Sequence, residues 1–324
     1  MVSAKKINDK KTMLKDKILV LGANGKIGRY LCLTLREVYG QSNVIATDIS
    51  PAHDSNFMPF EILDSTDAIK LEYIVQRYKI THIYNLSAIL STKGEINPLE
   101  TWRVNMSCFF NVLEIARCFK LKQVFFPSSI SVFGSNTPRN NTPQDTIRTP
   151  ETAYGMSKVA GENWSSYYFK RYGLDVRSIR YPCVIGNFEK FNDGVTDFAS
   201  EMFLKASVDA AYTCYISPTT RLPMVYLDDV INASLRIMDA PIEKISVRSS
   251  YNISGFSATP DELCAEIKKT HPNFKVIYKT DLRQYVADSW PETVDDSQAK
   301  KDWGWKSQFN IEKTSEKMLG LVVR

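Results

Sequence analysis

Gly22-Ala23-Asn24-Gly25-Lys26-Ile27-Gly28 follows directly on the apolar run Ile18-Leu19-Val20-Leu21 and leads into a stretch with Ile27, Leu31 and Leu35 on one helical face. This order, strand then glycine turn then helix, is a GxxGxxG variant of the dinucleotide-binding fingerprint. Glycines permit the tight turn and the close approach of backbone to a pyrophosphate. The N-terminus of the helix adds unpaired N–H groups and the positive end of its dipole. A glycine-rich turn alone is weak evidence, and here the flanking elements supply the context.

Working outward, short apolar runs alternate with helical segments through the first half. Strands are expected at Val44 to Ala46 (ending at Asp48), near Phe57 to Phe60, and at Ile83 to Leu86, Val124 to Phe126 and Val176 to Tyr181. Helices are expected over Ile27 to Tyr39, Ala68 to Tyr78, Pro98 to Phe119 and Tyr154 to Tyr172. Strands that are apolar throughout are buried on both faces. With helical crossovers between them they imply an α/β fold, a doubly wound parallel Rossmann sheet. After Pro182 the pattern becomes irregular, with late strands at Met224 to Leu227 and Tyr251 to Ile253 and a capping box, Thr259 and Glu262, before the helix at Leu263. The expected organisation is a polar tail over 1–16, a dinucleotide-binding domain over 17–182, and a smaller C-terminal substrate lobe over 183–324 that returns a few segments to the main sheet.

Composition sets bounds. The 324 residues are 44% hydrophobic and 24% charged, ordinary for a soluble globular protein. A run of about 18 apolar residues is absent, so no membrane span is expected. The net charge of +5 is scattered rather than striped, which argues against nucleic acid as a partner. The six cysteines form no CxxC pair and read as reduced thiols, and His53, His82 and His271 lack metal-ligand spacing, so no metal is expected. The first sixteen residues are lysine-rich but lack arginine, a poor match to a transit peptide.

Asp48 lies twenty residues beyond Gly28, at the end of the second strand. A carboxylate there binds the ribose hydroxyls of NAD and repels the 2′-phosphate of NADP. Ile49 offers no compensating cation, so the cofactor expected is NAD. Leu63-Asp64 lies where an adenine-contacting acid would fall, or is simply surface. Tyr154-Gly155-Met156-Ser157-Lys158 is a YxxxK pair, whose i, i+4 spacing puts both side chains on one helix face. A nearby ammonium lowers the pKa of a phenol and makes it a usable base. Pro127-Ser128-Ser129-Ile130-Ser131 follows the strand at Val124, where a serine faces the ligand crevice. Ser129 is the expected partner of Tyr154, with Ser128 and Ser131 as alternatives.

The glycine turn, Asn85-Leu86-Ser87-Ala88, Asn105, the Ser-Ser-Ile-Ser-Val-Phe-Gly segment and YxxxK together resemble the extended short-chain dehydrogenases. The resemblance implies that Leu86, Ser87 and Ala88 line the cofactor and that Asn105 supports the active-site end of its helix. In the second half, Arg180-Tyr181-Pro182, Thr196-Asp197-Phe198-Ala199, Leu222 to Asp229, Ala287-Asp288-Ser289-Trp290-Pro291 and Asp302-Trp303-Gly304-Trp305 resemble the short-chain L-threonine 3-dehydrogenases. That likeness implies a small substrate, L-threonine, held by Ser91, Ser129, Tyr154, Thr196 and Trp290, with Tyr181 beside the nicotinamide and Lys158 assisting Tyr154. It also implies a homodimer, and a mitochondrial matrix setting if the source is eukaryotic, otherwise a cytoplasmic one. Trp303 and Trp305 read as structural. Cys183, Gly186 and Val195 depart from the pattern, at positions where glycine, serine and threonine are expected. The rivals are a nucleotide-sugar epimerase or dehydratase and a non-catalytic NAD-sensing protein.

Overall fold

The structure of the chain, a computed structural model, describes residues 16–52, 57–188 and 194–320. Chain order runs β1 (Ile18–Leu21), α1 (Lys26–Tyr39), β2 (Val44–Asp48), β3 (Phe60–Ile62), α2 (Ala68–Tyr78), β4 (His82–Asn85), α3 (Ser91–Ile96), α4 (Pro98–Cys118), β5 (Gln123–Ser129), α5 (Ala153–Tyr172) and β6 (Val176–Tyr181). It continues with β7 (Cys183–Ile185), α6 (Asp197–Ser207), β8 (Tyr212–Cys214), β9 (Leu222–Tyr226), α7 (Leu227–Asp239), β10 (Tyr251–Asn252), β11 (Phe256–Ala258) and α8 (Pro260–Lys268). The last elements are β12 (Val276–Tyr278), α9 (Leu282–Asp288), α10 (Ser297–Trp303) and α11 (Ile311–Gly320).

The central sheet has seven strands in the order β10-β6-β5-β4-β1-β2-β3. β1 pairs in parallel with β2 (Ile18 opposite Val44) and with β4 (Ile18 opposite His82). Growth outward on both sides of β1 is the doubly wound arrangement expected from the alternating pattern. β10 returns to pair in parallel with β6. The strand expected near Phe57 to Phe60 instead begins at Phe60 and runs to Ile62.

The chain divides into two compact units. The first comprises Met1–Ala88, Ser107–Phe126 and Tyr168–Val176. Its core joins Leu19, Leu21, Ile45, Ile83, Val112 and Val124, all fully buried. α1 turns Gly28, Leu31, Cys32 and Leu35 inward; of the face read from the sequence, Leu31 and Leu35 are buried and Ile27 is half-buried. Asp16 is buried and its carboxylate pairs with Lys122 at 2.5 Å; the rest of the polar tail lies outside the described residues.

The second unit comprises Ile89–Met106, Pro127–Tyr167 and Arg177–Arg324. It holds a three-stranded sheet, β11-β9-β7, and a two-stranded one, β12-β8. Both pack into one core with Phe198, Phe203, Met224, Leu263 and Trp290. The capping box forms as expected: Glu262 N donates to Thr259 Oγ1 at 3.2 Å and Thr259 N donates to Glu262 Oε2 at 2.9 Å. Trp305 is buried and donates its indole N–H to Asp296 Oδ2 at 2.9 Å, and Trp303 stands edge-on to Tyr251, so both have structural roles. Among the described residues, no helix is long and apolar enough to cross a membrane, and no three His, Cys, Asp or Glu side chains could hold a metal ion.

Candidate active site

In the first unit the chain leaves β1 at Gly22 with φ +79°. A Cβ there would lie 2.9 Å from the Leu86 carbonyl carbon and 3.0 Å from Ser87 N. The loop Leu86-Ser87-Ala88 after β4 therefore sits against the turn, and only glycine allows it. A Cβ at Gly28 would lie 2.2 Å from Gly22 O, so the turn folds back onto the first turn of α1, which holds Lys26 and Ile27. Gly25 caps that helix. Gly22 N and Ala23 N donate to Thr47 O, and Asn24 N donates to Asp48 Oδ2 at 3.0 Å. The expected ribose acid is thereby held on the glycine turn. Ser87 Oγ meets Ser65 Oγ at 3.0 Å, and Asn111 Nδ2 from α4 donates to the carbonyls of Ser65 and Thr66. Leu63 is buried. Asp64 spends one carboxylate oxygen on its own turn, accepting from Thr66 N at 2.9 Å and Thr66 Oγ1 at 2.7 Å.

In the second unit β5 ends at Ser129 and α5 begins at Ala153. Ser129 Oγ accepts from Ser131 N at 3.2 Å, and the serine is the neighbour that lowers the Tyr154 phenol. Lys158 Nζ lies 5.3 Å from the centroid of the Tyr154 ring and donates to Pro127 O at 2.7 Å. Burial pushes the Tyr154 phenol up to about 12, with Ser129 pulling it back, and pushes Lys158 down to about 7, against the pull of Glu162. Burial dominates both groups, and no lowering of the phenol by Lys158 offsets it within the polypeptide itself. The alternative serines are otherwise engaged or unpaired. Ser128 Oγ donates to Glu162 Oε1 at 2.7 Å, while Ser131 Oγ is buried without a hydrogen-bond partner.

Glu162 was missed by the sequence reading. It is fully buried on α5, one turn beyond Lys158. Arg180 grips it through Nε and Nη2, each at 2.8 Å, and Arg148 pairs with it as well. These charges hold Glu162 below the ordinary carboxylate range against the opposing effect of burial. The signal in the sequence was an acid continuing the spacing Tyr154, Lys158, Glu162 on the same helix face.

Comparison with known proteins adds to this geometry. The family model for the NAD dependent epimerase/dehydratase family matches residues 18–254. The chain belongs to that family. Its cofactor is NAD, and the glycine cradle, which a Cβ at Gly22 or Gly28 would fill, fits a pyrophosphate on α1. An uncharacterized epimerase/dehydratase of Staphylococcus haemolyticus is 42% identical over 311 residues, covering 95% of this chain and 98% of the relative. The solved holo form of a GalE-like L-threonine dehydrogenase from Cupriavidus necator is 44% identical, with a TM-score of 0.93, over 94% of this chain and 99% of that one. A monomeric L-threonine 3-dehydrogenase from a metagenome is 42% identical, with a TM-score of 0.91, over 94% of this chain and 98% of that one. That relative is described as monomeric and the curated relative is bacterial, so the expected dimer and the mitochondrial setting find no support in them.

This family member places the remaining expected residues as follows. Asn105 accepts from Ile89 N at 2.8 Å and donates to Ile89 O and to Ser157 Oγ at 3.1 Å, tying the loop before Ser91 to α5. Ser91 is buried at the start of α3. The Tyr181 hydroxyl is 2.5 Å from Ser234 Oγ. Thr196 precedes α6, and its carbonyl accepts from the buried Cys183 thiol at 3.4 Å. Trp290, only 4% exposed, lies in the core of the second unit with Cys183 and Val195. The Gly186 departure has a steric reason, since a Cβ there would come 2.9 Å from Phe188 Cζ and 3.0 Å from Leu227 Cβ.

Proposed function

We propose that the chain is an L-threonine 3-dehydrogenase, oxidising the β-hydroxyl of L-threonine to give 2-amino-3-ketobutyrate. The observation that carries this reading is the reach of the likeness. The family model ends at residue 254, whereas the likeness to solved threonine dehydrogenases continues beyond it, over 94% of the chain. NAD, when bound, accepts the hydride from the β-carbon. Tyr154 as phenolate takes the hydroxyl proton, and Ser129 holds the substrate oxygen. Lys158 supports the phenolate and the nicotinamide ribose, while Gly22 to Gly28 and Asp48 hold the pyrophosphate and the adenosine ribose. In this reading the ammonium and carboxylate of threonine need buried partners, a role given to Ser91 and Thr196. Trp290 covers the apolar side and Tyr181 lies by the nicotinamide.

The test is NADH formation, followed by absorbance, with L-threonine and L-serine, and analysis of the sugar product with UDP-glucose and UDP-galactose, whose epimerisation leaves no net NADH. L-Threonine supports NADH formation, and L-serine is worse by about 1–3 kcal/mol because it lacks the methyl group. Folded, NAD-binding protein that leaves threonine untouched and converts a UDP-sugar would replace this reading with an epimerase.

A further inference from the structure

Two of the last three residues of β5 are held by side chains of α5. Lys158 Nζ donates to Pro127 O at 2.7 Å, and Glu162 Oε1 accepts from Ser128 Oγ at 2.7 Å, while Tyr154 opens the same helix face and Ser129 ends the strand. The three helix residues are spaced four apart, so they share one face. Beyond Ser129 the same two segments meet again, because Gly155 packs so closely that a Cβ would fall 2.2 Å from Ser131 O.

A buried carboxylate is a costly way to hold one serine. Glu162 is fully buried and is immobilised by Arg180, itself 2% exposed, and by Arg148. Arg180 is fixed in turn by Gln144 O and Asn252 Oδ1, each at 2.9 Å. The result is a carboxylate that cannot swing, anchored from β6, from β10 and from the segment before α5. Rigid supporting shells of this kind hold reacting groups within a fraction of an ångström.

We propose that Glu162 is a positioning residue for the Ser129–Tyr154–Lys158 set: through Ser128 it holds the end of β5 against α5 and so fixes where Ser129 stands relative to Tyr154. Glu162 touches neither substrate nor cofactor in this scheme. The inference rests on the reading of Ser129 and Tyr154 as the groups that handle the substrate oxygen.

The test uses the NAD-bound full chain and two variants, Ser128→Ala and Glu162→Gln. Each is measured for kcat and KM with L-threonine and for NAD affinity, and each is crystallised with NAD. kcat falls roughly 10- to 100-fold, as expected for a misplaced reacting group, while KM and NAD affinity hold, and the Ser129–Tyr154 spacing differs from that in the NAD-bound wild type. Wild-type kcat in Ser128→Ala overturns the proposal. So does a lost rate with the Ser129–Tyr154 spacing unchanged. Ser128→Ala removes one hydroxyl and leaves the ion pairs, so it remains decisive should Glu162→Gln fail to fold. A wild type that leaves L-threonine untouched defeats the threonine reading alone, since the Ser129–Tyr154 spacing in the crystal structures still judges the positioning role.

Discussion

Lys158 Nζ donates to the carbonyl oxygen of Pro127 at 2.7 Å, from a side chain that is 5% exposed. Its charge faces the Tyr154 ring on its own helix and Glu162 one turn on, behind which stand Arg180 and Arg148. Burial nevertheless outweighs Glu162 and brings the ammonium down from its ordinary 10.5 to about 7. Between those values the unfolded chain binds a proton that the folded chain lacks, so this group's contribution to stability improves as pH rises through the window. Below about 7 the full cost of the buried ammonium is present.

Lys158→Met, which keeps the volume and removes the charge, should therefore raise the melting temperature more at about pH 6 than at about pH 10. The measurement is thermal unfolding of the protein alone across that range. An equal shift at every pH would show that the lysine is not desolvated as its burial indicates.

Tyr154→Phe should lower turnover by about 10²–10⁴, with NAD affinity kept, because the ring survives and only the ionisable group is lost. Since burial raises the phenol to about 12, the base form is scarce at neutral pH. Oxidation by the wild type should therefore accelerate as pH rises, with a slope near one below the effective pKa. A flat profile over that range rules out Tyr154 as the titrating base.

Asp48 should make the enzyme prefer NAD over NADP. A 2′-phosphate ~4 Å from its carboxylate costs ~4 kcal/mol at an effective dielectric of ~20. Asp48→Gly should narrow the ratio of catalytic efficiencies. It should also weaken binding of both cofactors somewhat, because Asn24 N loses its acceptor at 3.0 Å. An unchanged ratio removes Asp48 from the ribose.

Gly28→Ala should damage NAD binding more than Gly25→Ala. The added methyl at position 28 meets Gly22 O at 2.2 Å, against 3.1 Å at position 25. Overpacking of this kind costs about 1–3 kcal/mol and displaces the turn. Isothermal titration with NAD and urea unfolding of both variants provide the check, and equal affinities would mean that the turn yields freely.

Trp290→Ala should cost about 3–5 kcal/mol of stability, as for other large core truncations. The side chain packs in the core of the second unit, so the loss should appear in the urea midpoint without substrate present. A stability loss below about 1 kcal/mol would mean that the indole is held for the substrate rather than for the core.

The sequence by itself determined β1, the glycine turn and α1, the alternation that builds the parallel sheet, Asp48 at the end of β2, and Ser129, Tyr154 and Lys158 at their strand and helix ends. These rest on periodicity, on glycine's conformational freedom and on the i, i+4 spacing of one helix, all of which act between near neighbours in the chain. The tertiary structure alone decided that the Ser128 hydroxyl is spent on Glu162, that Tyr181 is tied to Ser234, that Asp64 closes its own turn, and that Trp290 enters a core. It also decided that Glu162, to which the sequence reading gave no role, is a fully buried anchor for Ser128 and Arg180. Ser128 lies 34 residues from Glu162, and Arg180 lies 72 from Asn252. The worth of such pairs comes from the desolvation they share, and desolvation exists only once distant segments have packed around them.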